Sequence, residues 1–209
     1  MICAWCQAIL ASLKASKYCS VKCRQAAFRT RRRRGLEAKA DRPMLHIFCD
    51  PPYVGLSKRY YGKEDSYAGE VDHADLIRRV KERNPDGWAL SASVRSLRYL
   101  LPLVPEEHRV CSWVKPIGAW TGTRGIHNCW EPLIVVGGRQ EKPGKRDWLC
   151  AQPARLGGSD LIGRKPIAFT VWMLEMLGAA PGDSLVDLFP GSGNVAAAAR
   201  ALGLNVIPF

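Results

Sequence analysis

The sequence predicts an α/β fold in which a mainly parallel sheet carries helices on both faces, preceded by a small N-terminal module. Three observations support this prediction. Short apolar runs of strand length alternate with helical patterns from residue 44 onwards, turns rich in Pro and Gly separate them, and 47% of the 209 residues are hydrophobic. Such alternation is typical of a sheet whose crossover helices pack on its two faces, around a sizeable core.

The first half of this alternation contains two predicted strands and two predicted helices. The apolar run MLHIFC predicts a strand that ends at Asp50, and WALSAS predicts a second strand. Between them, VDHADLIRRVKERNPDG predicts a helix with an Asp72 cap, apolar Leu76, Ile77 and Val80 at helical spacing, and an Asn-Pro-Asp-Gly stop. The stretch VRSLRYLLPLV predicts a further helix.

The second half ends in a glycine-containing turn. HRVCSWV and EPLIVVGG predict two strands, and KPIAFTVWMLEMLGAA predicts a helix with Ile167, Val171 and Leu174 on one face. The last segment, DSLVDLFPGSGNVAAAARALGLNVIPF, predicts a strand, a glycine turn, an alanine-rich helix and a final strand.

The apolar segments and the N-terminus predict a cytoplasmic protein with no membrane partner. The longest apolar segments are too short to cross a bilayer, or are interrupted, as by Glu175. The N-terminus lacks the pattern of a secretory signal peptide.

Basic residues are concentrated at the N-terminus. Of the net charge of +12, residues 1–42 contribute +9, from eleven Lys and Arg against Glu37 and Asp41. The run RTRRRRG suits a polyanion, because each neutralised phosphate releases counterions. A solvated arm is the alternative. The candidate nucleic-acid contacts in this run are Arg29, Arg31, Arg32, Arg33 and Arg34.

Four of the eight cysteines have the spacing of a metal site. Cys3, Cys6, Cys19 and Cys23 form a C-x2-C-x12-C-x3-C pattern, which can supply four thiolates to a tetrahedral structural zinc. Free thiols are the alternative. The stretch also resembles small zinc-binding modules of actinobacterial and phage proteins. The other four are expected to be small buried hydrophobic residues: Cys49, Cys111, Cys129 and Cys150.

Two turns that follow predicted strands carry residues suited to binding a ligand or a nucleic-acid base. In DLFPGSGNV, Gly191 and Gly193 let the backbone approach a ligand at a helix N-terminus, which predicts a nucleotide or nucleoside site. An ordinary strand-to-helix turn is the alternative, and the dinucleotide fingerprint is incomplete because Ala196 replaces its third glycine. In LHIFCDPPYV, Asp50 can accept a hydrogen bond from an aromatic amine, stiff prolines fix the turn, and Tyr53 offers a ring face to a base. An ordinary Pro-Pro loop capped by an acid is the alternative.

Residues 44–209 resemble S-adenosylmethionine-dependent amino-methyltransferases that act on adenine or cytosine in nucleic acid. DPPY matches their catalytic motif, and DLFPGSGNV matches their cofactor motif. The order of these motifs resembles the permuted β-type enzymes, and RKPIAF resembles the segment that leads into their cofactor strand. The resemblance implies a Rossmann-like methyltransferase sheet with S-adenosylmethionine as cofactor.

The resemblance also assigns roles to individual residues. It implies a catalytic and base-binding set: Asp50, Pro51, Pro52 and Tyr53. It implies a cofactor-binding set: Asp187, Phe189, Gly191, Ser192, Gly193, Asn194 and Lys165. The segments CSWVKP and HNCWEPLIVVGG resemble a strand pair of the family, whose polar members are either functional or structural: Trp113, Lys115 and Glu131.

One expected group has no match in the sequence. The family's ribose-binding acid would follow the last strand, where the chain has NVIPF, and Glu131 or Asp160 are candidate replacements. Cofactor binding is therefore expected to be weak or completed by a partner subunit, which leaves a homodimer open. The loop after the catalytic turn carries further candidate nucleic-acid contacts: Lys58, Tyr60 and Tyr61.

Together these features predict a DNA adenine amino-methyltransferase with three segments. These are a zinc module with an arginine-rich tail at 1–35, a linker at 36–43 and a methyltransferase domain at 44–209. The acid that starts DPPY favours adenine over cytosine by resemblance. Cytosine or RNA as the substrate and an inactive zinc-dependent nucleic-acid-binding protein are the alternatives, and a nicotinamide oxidoreductase is disfavoured. Family analogy also implies a bacterial or phage-infected cell as the setting.

Overall fold

The structure is a computed structural model that describes residues 20–26, 42–63, 67, 69–119, 127–140, 144–153 and 165–208. The chain divides into two units, Met1–Arg42 and Pro43–Phe209. In the first unit, a helical segment at 21–26 is described, and Cys23 on it is half-buried. The predicted zinc ligands Cys3, Cys6 and Cys19 and the arginines at 29–34 lie outside the described residues. The zinc module and the three-segment division stay predictions.

The second unit is built on one mixed sheet. Its described strands are β1 (Leu45–Cys49), β2 (Gly87–Ser91), β3 (Arg109–Ala119), β4 (Asn128–Gly137), β5 (Trp148–Cys150), β6 (Ser184–Asp187) and β7 (Asn205–Ile207). They lie in the order β5-β3-β4-β2-β1-β6-β7. Only β4 among them runs antiparallel to its neighbours, β2 and β3. The prediction of an α/β fold with a mainly parallel sheet is confirmed.

Helices cover both faces of this sheet. The α-helices are α1 (Ser57–Tyr61), α2 (His73–Glu82), α3 (Leu97–Leu100), α4 (Ile167–Met176) and α5 (Asn194–Ala201), with 3-10 turns at Val94–Ser96 and Leu101–Leu103. As predicted, Asp72 caps α2, where its side chain accepts hydrogen bonds from the N–H groups of Ala74 and Asp75. In the part of the chain that the structure describes, no helix has the length and apolar character to span a bilayer.

The core has two layers because successive strand residues point to opposite faces. Phe48 on β1 and Leu185 on β6 pack with α4 and α5 on one face. Ile47 and Val186 pack with α2 and α3 on the other. The central strands are therefore buried on both faces, which is why they were apolar runs without alternation.

Several local predictions were wrong. The helix predicted from VRSLRYLLPLV is α-helical over four residues only, because Pro102 cannot donate a helical hydrogen bond. Of the residues predicted to share one face of α4, Leu174 is buried, whereas Ile167 is 65% exposed. The other large buried side chains of α4 are Phe169, Trp172 and Met173. Strand β5 and helix α1 were not predicted.

The expectation for the four later cysteines holds for two of them. Cys49 and Cys111 are 1% exposed and lie in the two cores. Cys129 and Cys150 are exposed. Cys129 lies in the outer part of β4, before its buried segment begins at Pro132, and Cys150 ends the short edge strand β5.

A buried ion cluster holds the strands together near the start of β6. Asp183 is 1% exposed and forms a bidentate pair with Arg139, at 2.8 and 3.1 Å. It also accepts hydrogen bonds from the backbone N–H groups of Met44 and Ala180, and its Oδ2 lies 3.1 Å from His46 Nε2. Burial alone would raise the pKa of Asp183, but these hydrogen bonds outweigh it and hold that pKa below its usual range.

Candidate active site

The two predicted chemical turns lie at neighbouring strand ends. β1 and β6 are parallel and pair Phe48 with Asp187. The chain therefore leaves β1 at Asp50 and β6 at Leu188 on the same edge of the sheet. In an open α/β sheet, ligands bind at this carboxyl edge.

Asp50 is held by a buried lysine from a distant part of the chain. Lys165 Nζ lies 2.9 Å from both carboxylate oxygens of Asp50 and 3.3 Å from the Tyr53 hydroxyl. Lys165 is 115 residues further along the chain, and only Pro166 separates it from the start of α4. The family resemblance assigns Lys165 to the cofactor side, whereas the structure brings it into the catalytic turn.

A second carboxylate lies beyond Tyr53. Glu131 Oε2 accepts a hydrogen bond from the Tyr53 hydroxyl at 2.8 Å and lies 3.8 Å from Lys165 Nζ. Its Oε1 accepts a hydrogen bond from Lys115 Nζ at 2.5 Å. These five residues form a continuous network, here named the Asp50 cluster: Asp50, Tyr53, Lys115, Glu131 and Lys165.

Aromatic rings surround the lysine ammonium at the centre of this cluster. Lys165 Nζ lies 5.5 Å from the ring centroid of Phe169, 5.7 Å from that of Tyr53 and 5.8 Å from that of Trp113. Trp113 is itself fixed by a hydrogen bond from its Nε1–H to the Ala151 carbonyl at 2.9 Å. Cations are stabilised near aromatic rings at these distances.

The charges of the Asp50 cluster support one another. Burial would lower the pKa of Lys165, but Asp50, Tyr53 and Glu131 outweigh it and raise that pKa above its usual range. Burial would raise the pKa of Glu131, but Lys165 and Lys115 lower it. Burial raises the pKa of Tyr53 above its usual range. Lys165 and Glu131 are therefore charged at neutral pH, and Tyr53 is a neutral phenol.

The glycine turn carries a buried carboxylate oxygen with no partner. Asp187 Oδ1 accepts a hydrogen bond from the Phe189 N–H at 3.2 Å, whereas Oδ2 is buried without a hydrogen-bond partner among the described residues. Burial raises the pKa of Asp187 to about 6, with a further contribution from the charge of Asp50. An unpaired buried carboxylate oxygen is costly, and a cationic ligand would satisfy it.

The same turn leaves space beside its backbone. Gly191 and Gly193 have φ of +46° and +76°, in the left-handed region that favours glycine. Among the described residues, a Cβ atom at Gly193 would meet no atom within 4 Å, and one at Gly191 would meet only the Phe189 carbonyl oxygen at 3.8 Å. Ser192 is exposed, and α5 begins at Asn194. As far as the described residues show, the backbone before this helix N-terminus has space for an anionic group.

The remaining predicted residues lie in different environments. Pro51 is buried and Pro52 is half-buried, in the turn between β1 and α1. Lys58 is exposed on α1, Tyr61 is half-buried there, and the backbone of Tyr60 belongs to the same helix.

The strand order separates Glu131 from the place where the ribose acid was expected. Glu131 lies on β4, and three strands, β2, β1 and β6, lie between β4 and β7. Glu131 therefore contacts the catalytic turn and not the end of β7. The other candidate, Asp160, lies outside the described residues.

The sequence prediction missed one residue of the site. Ser91 ends β2, the neighbour of β1, and its hydroxyl lies 3.3 Å from the Tyr53 hydroxyl. The signal that could have found it is a polar residue at the end of an apolar strand, since the ends of parallel neighbours meet at one edge.

Comparison with solved structures places this fold among known ones. The structure of M1.HpyAVI in complex with SAM has a TM-score of 0.55 and 19% identity, over 82% of this chain and 84% of that chain. The PvuII cytosine-N4-specific DNA methyltransferase has a TM-score of 0.53 and 15% identity, over 84% of this chain and 78% of that chain. The chain has a methyltransferase fold. No protein-family model and no curated protein matches the sequence.

Proposed function

We propose that the protein is a DNA methyltransferase that transfers a methyl group from S-adenosylmethionine to the exocyclic amino group of adenine. The observation that carries this proposal is the pairing of Phe48 with Asp187, which sets the Asp-Pro-Pro-Tyr turn beside the glycine turn. The solved methyltransferases of the same fold, one of them in complex with SAM, support the assignment.

The glycine turn fits the amino-acid end of S-adenosylmethionine. The unpartnered Asp187 Oδ2 suits an ammonium group, and the open N-terminus of α5 suits a carboxylate. Gly191 and Gly193 let a ligand approach the backbone, because they carry no side chain and, among the described residues, an added Cβ would meet only the Phe189 carbonyl oxygen at 3.8 Å. When bound, this cofactor supplies an electrophilic methyl group on a sulfonium centre.

The catalytic turn prepares the amino group of the base. The lone pair of an aromatic amine is delocalised into its ring, so the nitrogen is a poor nucleophile. Asp50 accepts a hydrogen bond from one amino hydrogen and a carbonyl of the proline turn accepts one from the other, so that the nitrogen can pyramidalise. The Asp50 carboxylate also stabilises the positive charge that develops on nitrogen before a proton leaves to solvent.

Tyr53 positions the base through its ring. Its hydroxyl donates a hydrogen bond to Glu131 at 2.8 Å and lies 3.3 Å from the Ser91 hydroxyl, so two neighbours fix the hydroxyl end of the ring. A base that is flipped out of a duplex can stack on such a fixed aromatic face. The ring orients the base so that its amino group reaches Asp50.

Adenine in DNA is the proposed substrate, and the other substrates are outcomes of the test. The acid that begins DPPY favours adenine by family resemblance, although one solved structure of this fold is described as cytosine-N4-specific. Methylation of cytosine or of RNA would correct the substrate and keep the chemistry of the turn.

The N-terminal unit is proposed to supply general affinity for DNA. Its predicted zinc ligands are Cys3, Cys6, Cys19 and Cys23, and its arginine run at 29–34 suits phosphates. Because a segment this short cannot bury a core of its own, zinc would supply its folding free energy.

Transfer of labelled methyl groups tests the enzymatic proposal. Wild-type protein should label unmethylated genomic DNA, and nuclease digestion should recover the label in N6-methyladenine. Asp50→Asn should lower the rate by at least about 100-fold, because the carboxylate charge that stabilises the transition state is lost. Asp147 is exposed and directly precedes β5. Asp147→Asn is therefore the matched control and should retain the wild-type rate of methyl transfer. Unchanged labelling by Asp50→Asn, or no labelling of DNA or RNA by wild type, would overturn the proposal.

A further inference from the structure

Asp50 is engaged by an internal cation at the place where the proposed reaction needs a free carboxylate. Lys165 Nζ lies 2.9 Å from each of its oxygens, at the distance of a charge-assisted hydrogen bond. The amino group of a base must contact this same carboxylate, so the lysine and the base compete for it. The inference that follows rests on the proposed function and concerns how this competition is resolved.

Glu131 is a second acceptor within reach of the same ammonium. Its Oε2 lies 3.8 Å from Lys165 Nζ, and a shift of about 1 Å would shorten this distance to that of a direct ion pair. Lys165 is buried on all sides, with 7% of its side chain exposed, so leaving the cluster for water would require larger movements. Glu131 is therefore the acceptor that the Lys165 ammonium reaches with the smallest movement away from Asp50.

The surroundings of Lys165 suit an ammonium in either position. The rings of Phe169, Tyr53 and Trp113 lie within 5.8 Å of Nζ, and aromatic rings at such distances stabilise a cation. The network has two carboxylates and two ammonium groups, so its charge balances before the exchange. It still balances after the exchange, when Glu131 carries Lys115 on Oε1 and Lys165 on Oε2.

Tyr53 links this exchange to the base. Its hydroxyl lies 2.8 Å from Glu131 Oε2 and 3.3 Å from Lys165 Nζ, so it contacts both the lysine and its proposed second acceptor. Its ring is the proposed stacking face. A base that stacks on Tyr53 therefore arrives at the point where the lysine must change partners.

We propose that Lys165 is a placeholder cation, which occupies Asp50 until a base enters and then pairs with Glu131. Glu131 is thus a positioning residue for the reaction, because it acts through Lys165. Asp50 becomes free to accept the amino hydrogen and to face the positive charge that develops on nitrogen. The cluster keeps Asp50 paired while no base is bound.

Binding of free adenine tests this exchange without any methyl transfer. The apparent affinity for a ligand falls in proportion to the fraction of protein in the competent state. Lys165→Met removes the competitor with little change in length, so adenine should bind about 10-fold more tightly than to wild type. Glu131→Gln weakens the alternative partner of the lysine, so adenine should bind about 10-fold more weakly. Titrations followed by NMR chemical shifts measure both affinities.

A double-mutant cycle separates the exchange from a purely structural role of Glu131. If Glu131 acts by pairing with Lys165, Glu131→Gln should lower adenine affinity by less than about 3-fold in the Lys165→Met background. If Glu131 only anchors Tyr53, its loss should cost the same in both backgrounds. Glu107→Gln, an exposed acid before β3, is the control for removal of one negative charge and should leave affinity unchanged.

The outcomes distinguish this inference from the proposed function. Adenine affinities that are equal or undetectable in both wild type and Lys165→Met would overturn the placeholder role. An equal cost of Glu131→Gln in the two backgrounds would overturn the exchange. If the cycle behaves as expected and no nucleic acid is methylated, the exchange stands and the proposed reaction is wrong.

Discussion

Phe48 on β1 and Asp187 on β6 are paired in register on neighbouring parallel strands. The N–H of Leu188 donates a hydrogen bond to the Phe48 carbonyl at 3.0 Å, so the pairing continues to the point where both chains turn away. Asp50 and the glycine turn are thus held together by the backbone of the sheet. A ligand bound at one turn is within the reach of groups presented by the other.

Asp187→Asn should weaken binding of the methyl donor or its product. The buried Oδ2 of Asp187 has no partner among the described residues and is the proposed acceptor for the ligand ammonium. Loss of a charge-assisted hydrogen bond should raise the Kd for S-adenosylhomocysteine about 10- to 100-fold, as measured by calorimetry. The affinity of wild type for S-adenosylhomocysteine should also fall as the pH decreases through about 6. Burial raises the pKa of Asp187 to about that value, so its carboxylate becomes protonated there. An equally steep pH dependence of affinity in Asp187→Asn would contradict the assignment of Asp187 to the ligand ammonium.

The same ionisation should cost the ligand-free protein stability. Burial raises the pKa of Asp187 to about 6, well above the ordinary aspartate value, so the native state resists ionisation. The unfavourable contribution grows as the pH rises from the ordinary value to about 6 and is complete above it. Asp187→Asn should therefore raise Tm relative to wild type more at pH 8 than at pH 4. A gain in Tm that is the same at both pH values would show that ionisation of Asp187 is not its cause.

Gly193→Ala should affect both stability and ligand binding. Gly193 has a φ of +76°, and alanine in this region lowers the free energy of unfolding by about 1 kcal/mol through backbone strain, although no atom of the described residues lies within 4 Å of the added Cβ. The methyl group would enter the space proposed for the cofactor, so affinity for S-adenosylhomocysteine should also fall.

Gly182→Ala is the matched control for that substitution. Gly182 has a φ of +90°, and no described residue has an atom within 4 Å of an added Cβ there, but Gly182 lies before β6, at the opposite end of the strand. Gly182→Ala should lower the free energy of unfolding by a similar amount, as measured by urea denaturation, and should leave the affinity for S-adenosylhomocysteine unchanged. Equal effects of both substitutions on affinity would contradict the placement of the ligand.

The fold could be predicted from the sequence because its signals are local. The apolar strands and the Asp72 cap depend on neighbouring residues, and the structure confirms them. Helix α1 and strand β5 were missed because each is short: five residues and three residues, respectively. Such segments depend on contacts with the rest of the fold and carry little periodic pattern.

The site could be predicted only in part. The two turns were recognisable from their residues, but the contact of Lys165 with Asp50 joins positions 115 residues apart and has no local signal. The sequence identified Glu131 as a candidate but did not identify the residues that it contacts. Only the pairing of β4 with β2 and β3 shows which end of the sheet Glu131 occupies. Long-range contacts determine these partners, and spacing along the chain does not contain them.

Zinc should bind the N-terminal unit and increase affinity for DNA. The purified protein should contain about one zinc per chain, as expected for a four-cysteine site and measured by atomic absorption. Removal of zinc by a chelator should weaken DNA binding and reduce its dependence on salt, because the arginine run would no longer be held in one place. Cys23→Ser should lower the zinc content, whereas Cys129→Ser, at an exposed cysteine on β4, should retain it. Unaltered DNA affinity after complete loss of zinc would show that this unit does not anchor the protein.

Asp183→Asn should destabilise the fold strongly without acting at the proposed site. Asp183 is 1% exposed and contacts Arg139 and His46, so its neutralisation removes the carboxylate charge on which this buried cluster is built. Removing one partner of a buried ion pair should lower the free energy of unfolding by about 3–5 kcal/mol in urea denaturation.

The pH dependence of stability provides a second measurement of the same cluster. Hydrogen bonds to the Asp183 carboxylate hold its pKa below the usual range, so its stabilising contribution is complete above the ordinary aspartate pKa and is lost as the pH falls towards the native value. Wild type should therefore lose stability in acid more steeply than Asp183→Asn. Asp147→Asn removes an exposed partner that lies 3.6 Å from Arg109, and it should cost less than about 1 kcal/mol because surface pairs contribute little. Equal losses for the two substitutions would contradict the role of Asp183 as the buried anchor of β1 and β6.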